Sequence, residues 1–133
     1  MFRSSKKFMP TYILIAANII VYVYTSILSG NVFTTSDGVL LAYGQDNFAV
    51  LNGQAWRLFT AMFVHADAVH IFGNMFFLLI FGFRAEEFFK DEEFFFIYFI
   101  SGLSGNLLTL LMPLNTVSAG ASGAIFGIFG ACV

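Results

Sequence analysis

One serine and a pair of polar residues four positions apart carry the chemistry this sequence could do. The serine is Ser122, in Gly120-Ala121-Ser122-Gly123-Ala124. It opens an apolar run, Ile125-Phe126-Gly127-Ile128-Phe129-Gly130-Ala131-Cys132-Val133, and residues 113–119 before it read as a loop. Ser122 is therefore expected about one turn into a hydrophobic helix, near its N-terminal end. There, free backbone N–H groups and the positive end of the helix dipole face an oxyanion that forms when the hydroxyl attacks a carbonyl. The small neighbours leave room for a substrate backbone. The polar pair is His70 and Asn74, which share one face of a helix. The serine stretch also has a plain structural reading. Gly123, Gly127 and Ala131 repeat at the small-x-x-x-small spacing that lets membrane helices pack closely.

Other chemistries find less support. His65 and His70 are five apart, not at the i,i+4 spacing of a helical metal site, and no cysteine or carboxylate shares their turn. No metal and no cofactor is expected. Both histidines could instead be structural, hydrogen-bonded to backbone. The single cysteine, Cys132, excludes an internal disulfide and reads as packing.

The chain that must position these groups is a membrane chain. Of its 133 residues 59% are hydrophobic and only 11% are charged, against about 25% charged in a soluble domain. Nineteen phenylalanines would overfill a soluble core of this size. The formal net charge of −2 and the lack of a basic stripe argue against a nucleic-acid partner. No internal repeat or linker divides the chain, so residues 1–133 are read as one domain.

Four apolar runs organise it. A head with Arg3, Lys6 and Lys7 precedes residues 11–28, which carry no charge. A cleavable signal peptide competes for this run. A retained helix is preferred, because Asn18 and the tyrosines make a poor signal core. Residues 31–67 hold turn signals at Asp37-Gly38, Tyr43-Gly44-Gln45-Asp46-Asn47 and Asn52-Gly53-Gln54. With Trp56-Arg57 they read as a long loop lying partly in the membrane–water interface. A second helix starts near Val69 and ends in the charged cluster from Arg84 to Glu93. A third spans residues 94–112 before Pro113, with a small and polar face from Ser101 to Asn106 that should meet another helix. The fourth begins near Ala119 and is still apolar at Val133. Its 13 to 14 residues would reach only about 20 Å of a hydrocarbon core about 30 Å thick.

Topology links these runs to the polar residues. The positive-inside rule puts the basic head in the cytoplasm. The second and fourth helices then both enter from the outer side, near His70 and near Ser122. His70, Asn74 and Ser122 can meet a few residues below the outer surface. Strongly polar groups inside a bilayer are costly and are functional candidates by default.

Together these residues make the chain resemble the rhomboid intramembrane serine proteases. The matching elements are Trp56-Arg57 in the first loop, His65 with His70-x-x-x-Asn74 at the second helix, and Gly120-x-Ser122-Gly123 at the fourth. The resemblance covers residues 11–133. It implies that Ser122 is the nucleophile and that His70, Asn74 and the Ser122 backbone N–H bind the oxyanion. It places Trp56-Arg57 in a lipid-embedded loop and Glu86 in a Glu-x-x-x-Gly motif, with Lys90 in the glycine position here. The family's general base is a histidine on a sixth helix, and this chain has no histidine after His70. The sequence is therefore read as a C-terminally truncated rhomboid or a short relative, not expected to be active alone.

The resulting expectation is an all-α, polytopic helical membrane bundle with three full transmembrane helices and the start of a fourth. It sits in the lipid bilayer, with the N-terminus cytoplasmic and the active site toward the outer face. Its function would be serine-type endopeptidase cleavage of transmembrane protein substrates near their outer ends. The alternative is a catalytically dead rhomboid-like protein that binds transmembrane clients, and a plain structural membrane subunit comes third. A histidine on a later helix would favour the protease, and its absence the binder.

Overall fold

The computed structural model describes residues 8–133. The basic head, with Arg3, Lys6 and Lys7, lies outside them. Among the described residues the chain forms long helices α1 (Met9–Ser29), α5 (Ala68–Glu86) and α6 (Asp91–Thr109) and a shorter α7 (Ser122–Ala131). Between α1 and α5 lie the short helices α2 (Asp37–Tyr43), α3 (Asn47–Leu51) and α4 (Arg57–Thr60). Strand β1 (Gln45–Asp46) pairs antiparallel with β2 (Val117–Ser118), Gln45 opposite Ser118. The fold is helical, as the hydropathy requires. Helices α1 and α5 are long and apolar enough to cross a membrane. Helix α6 matches α5 in length but opens with Asp91, Glu92 and Glu93 in its first turn, so its start lies three residues before the expected Phe94. Acidic side chains are favourable at the positive end of a helix, which is why the charged cluster was recruited into it.

Polar clamps and small residues set how the helices pack. The Glu86 carboxylate, 3% exposed, ties the end of α5 to the start of α1. It accepts the Thr11 N–H at 3.1 Å and the Thr11 hydroxyl at 2.6 Å. Gly82 allows that approach, since a β-carbon there would lie 2.5 Å from Thr11 Oγ1. On the other flank α6 and α7 come close enough that a β-carbon on Gly127 would collide with Ser101 Oγ. The core between them holds Tyr98, Phe94, Leu78, Met62 and Ile128. Lys90, in the glycine position of the Glu86 motif, has φ −69° and ψ 164°, ordinary extended backbone. The turn there asks nothing of glycine.

The loop of residues 30–67 is folded and locked onto the ends of α6 and α5. Asn47, fully buried, donates to the carbonyls of Thr109 (2.9 Å) and Pro113 (3.3 Å). Those oxygens lie at and just past the end of α6 and also accept the N–H groups of Met112 and Thr116 at 3.0 Å each. Gln45 donates to Asn106 O (2.8 Å), and Asn106 donates to Leu58 O in α4 (2.7 Å). The polar face of α6 thus meets α4, a helix of the loop.

Candidate functional site

The start of α7 is fixed by Gly120. Its φ of +123° is a conformation L side chains rarely adopt, and its N–H donates to Ala61 O at 2.8 Å. The chain leaves β2 there, turns, and begins helix at once. Ser122 is therefore the first residue of α7, with Ala121 as its cap, rather than one turn inside as the hydropathy suggests. The turn after an apolar-neutral stretch depends on φ, which hydropathy does not report. The placement keeps the Ser122 N–H among the free donors of the helix end.

Helix α5 starts at the same end. Asp67 caps it, accepting the His70 N–H at 2.7 Å. His70 and Asn74 then face the turn before α7. A β-carbon on Gly120 would lie 2.9 Å from His70 Nε2 and 3.6 Å from Asn74 Nδ2. Asn74 and Ser122 line one cavity of about 220 Å³ between α5 and α7, otherwise walled by Phe77, Phe81, Ile125, Phe126 and Phe129. Asn74 Nδ2 is buried with no hydrogen-bond partner. An amide nitrogen left so is costly unless something accepts from it.

The protonation of His70 follows from its neighbours. The Ala66 N–H donates to His70 Nδ1 at 3.3 Å. A ring nitrogen that accepts carries no proton in the neutral imidazole, so Nε2 carries it. Nε2–H is the edge toward Gly120, so His70 presents a donor there. His65 packs edge-on against His70, ring centroids 5.0 Å apart. Its Nδ1 donates to Phe63 O at 3.3 Å, which leaves Nε2 as a buried acceptor without a partner. Burial, then the nearby His70, pull the His65 pKa down to about 4. The backbone thus satisfies one nitrogen of each ring, as the structural reading of the histidines asks, and leaves the other open.

The remaining motif residues lie elsewhere. Arg57, 8% exposed, donates to the carbonyls of Leu41 and Gly44 and to Gln54 Oε1 (2.7 Å), and lies 5.1 Å from the Trp56 ring. It gathers three acceptors of the loop, two of them backbone carbonyls. Glu86 is about 24 Å along α5 from His70 at 1.5 Å per residue. Gly123 faces α6, where a β-carbon would be 3.9 Å from Gly102 Cα. The two readings of the serine stretch fall on different sides of α7: Ser122 borders the cavity, while Gly123 and Gly127 pack on Ser101 and Gly102. Thr35, Gln45, Asn47 and Asn106 were not singled out individually. Gln45 and Asn47 lie within the turn signals at residues 43–47 and Asn106 on the small polar face of the third helix, while no sequence signal marks Thr35.

Residues 52–133 match the Rhomboid domain. RHOMBOID-like protein 6, mitochondrial, of Arabidopsis thaliana is 44% identical over 82 residues, which is 62% of this chain and 27% of that protein. Rhomboid-like protease 3 of Toxoplasma gondii is 37% identical over 114 residues, 86% of this chain and 43% of that protein. RHOMBOID-like protein 1 of Arabidopsis thaliana is 42% identical over 78 residues, 59% of this chain and 20% of that protein. The chain spans less than half the length of each of these relatives.

Proposed function

The chain belongs to the rhomboid family, and on that premise we propose that it is a single membrane domain built for serine-type endoproteolysis of transmembrane segments near their outer ends. Ser122 attacks the scissile carbonyl. The backbone N–H of Ser122, His70 Nε2–H and Asn74 Nδ2 receive the oxyanion. The proton that the Ser122 hydroxyl gives up ends on the leaving amine, and water hydrolyses the acyl-enzyme, its proton restoring the hydroxyl. One observation carries the reading: Asn74, whose amide nitrogen is buried and unpartnered, lines the cavity that Ser122 also lines. A substrate helix must unwind locally to offer its amide, so residues of low helix propensity should favour cleavage.

The topology proposed with it has three crossing helices, α1, α5 and α6, and α7 entering from the outer side. The three cations of the head, against Arg57 alone in the loop of residues 30–67, support a cytoplasmic N-terminus.

Neither histidine supplies a basic nitrogen to Ser122. His70 Nδ1 is occupied by Ala66 and its Nε2 is a donor. His65 takes a proton only near pH 4, which makes it a weak base at neutral pH. This favours a second reading for the 133 residues acting alone, a rhomboid-like protein that holds transmembrane clients without cutting them. A graft decides between them: the 114 residues of this chain that align with the Toxoplasma gondii relative replace the matched segment there, and a transmembrane substrate is offered in liposomes. Cleavage that Ser122→Ala abolishes supports the protease. A folded graft that binds substrate and never cleaves it supports the binder.

A further inference from the structure

Thr35 follows α1, some thirty residues before α5, yet it grips one peptide unit from its carbonyl side. Its hydroxyl donates to His65 O at 2.6 Å, and its N–H donates to the next carbonyl, Ala66 O, at 2.8 Å. A backbone bridge between Thr34 and Asp67 and a 2.9 Å bond from Ala68 N–H to Phe33 O extend the attachment. The carbonyl of His65 and the N–H of Ala66 belong to the same planar trans peptide group, so they point in opposite directions. One end of that group is fixed by Thr35. The other end is the N–H that donates to His70 Nδ1.

The geometry points to Thr35 as a positioning residue for His70. Its hydroxyl orients and polarises the His65–Ala66 peptide group, whose N–H holds His70 as the Nε2–H tautomer, with that N–H toward Gly120 and the start of α7. The chain of bonds runs from the Thr35 hydroxyl through one peptide group to one imidazole. Thr35 is 6% exposed, so water does not replace the hydroxyl freely. The catalytic consequence rests on the reading of His70 as an oxyanion donor. The tautomer itself does not.

The test is nitrogen NMR of the 133-residue chain with labelled histidine, in lipid micelles, His65→Asn separating the two ring systems. The wild type should show His70 Nδ1 as an unprotonated acceptor and Nε2 as protonated. Thr35→Val keeps the shape and removes the hydroxyl. It should mix the His70 tautomers and speed exchange of the Ala66 amide about five- to tenfold, the factor equivalent to one ordinary hydrogen bond. Thr35→Ser should restore both readings, Thr35→Cys should fall between, and Thr34→Val should change neither. Protonated Nδ1 on His70 in the wild type overturns the proposal, whether or not Thr35→Val folds. So does a folded Thr35→Val with unchanged tautomer and unchanged exchange. No turnover is needed, so a failure of the oxyanion reading shows up separately, as cleavage insensitive to His70 with the tautomer intact.

Discussion

Gly120 faces the His70 ring so closely that a β-carbon on it would lie 2.9 Å from Nε2. Its φ of +123° would strain a side chain on conformational grounds as well. Two independent constraints thus converge on one residue, and both serve the approach of α7 to α5.

Gly120→Ala should therefore cost stability by about 1–3 kcal/mol from the strained backbone alone, with the ring displaced in addition. Thermal unfolding in detergent measures the first effect. In the graft, cleavage should fall by more than the loss of folded protein explains. An alanine variant of wild-type stability and activity would contradict this account of the turn.

Asn74→Ala separates function from stability. Asn74 Nδ2 has no partner to lose, so the melting temperature should hold or rise. Loss of one oxyanion donor should lower kcat by about 10²–10³-fold. Equal activity in the graft would remove Asn74 from the oxyanion site.

Asn47→Ala should do the reverse. It removes the side-chain amide that joins the backbone donors Met112 N–H and Thr116 N–H on the carbonyls of Thr109 and Pro113 and should destabilise the chain by about 0.5–1.5 kcal/mol for each hydrogen bond lost. Denaturant titration of the 133-residue chain reads this directly. The loop of residues 30–67 should become the first segment to exchange amide hydrogens.

His65 predicts acid sensitivity. Its folded pKa, about 4, lies below the ordinary value of 6.5, so the unfolded chain binds the proton more readily. Stability should be unaffected by this group above pH 6.5 and should decline as the pH falls from 6.5 to 4. The total loss is about 3 kcal/mol at 1.36 kcal/mol per unit. Unfolding followed at pH 7 and pH 5 measures the slope, and His65→Gln should flatten it.

Topology is tested by cysteine labelling in intact cells, with Cys132→Ser as background. Asp37→Cys in the loop should react with an impermeant reagent, and Glu92→Cys at the start of α6 should not. The opposite pattern would invert the orientation and move Ser122 to the cytoplasmic side.

Much of this molecule is legible in its sequence because hydropathy and spacing report local backbone. The charge-free run of residues 11–28 marks α1, and the i,i+4 spacing puts His70 and Asn74 on one face of α5. Pro113 marks the region where α6 has ended. The family resemblance rests on the same short-range signals. What those signals miss is where a helix starts when charge or φ decides. Asp91 to Glu93 joined α6 because acids suit its first turn, and α7 starts at Ser122 because Gly120 turns the chain.

Only the tertiary structure decides the polar pairings. Asn47 meets Thr109, Glu86 meets Thr11, and Thr35 grips the His65–Ala66 peptide across tens of residues. No periodicity encodes them. A hydrogen bond is made or lost over about half an ångström near 3 Å, and that distance is set by how closely small residues such as Gly82 and Gly127 let the helices approach. The sequence determined that this is a helical membrane chain with a serine, a histidine and an asparagine near the ends of two of its helices. The packing determined which edge of His70 carries the proton and which side of α7 borders the cavity.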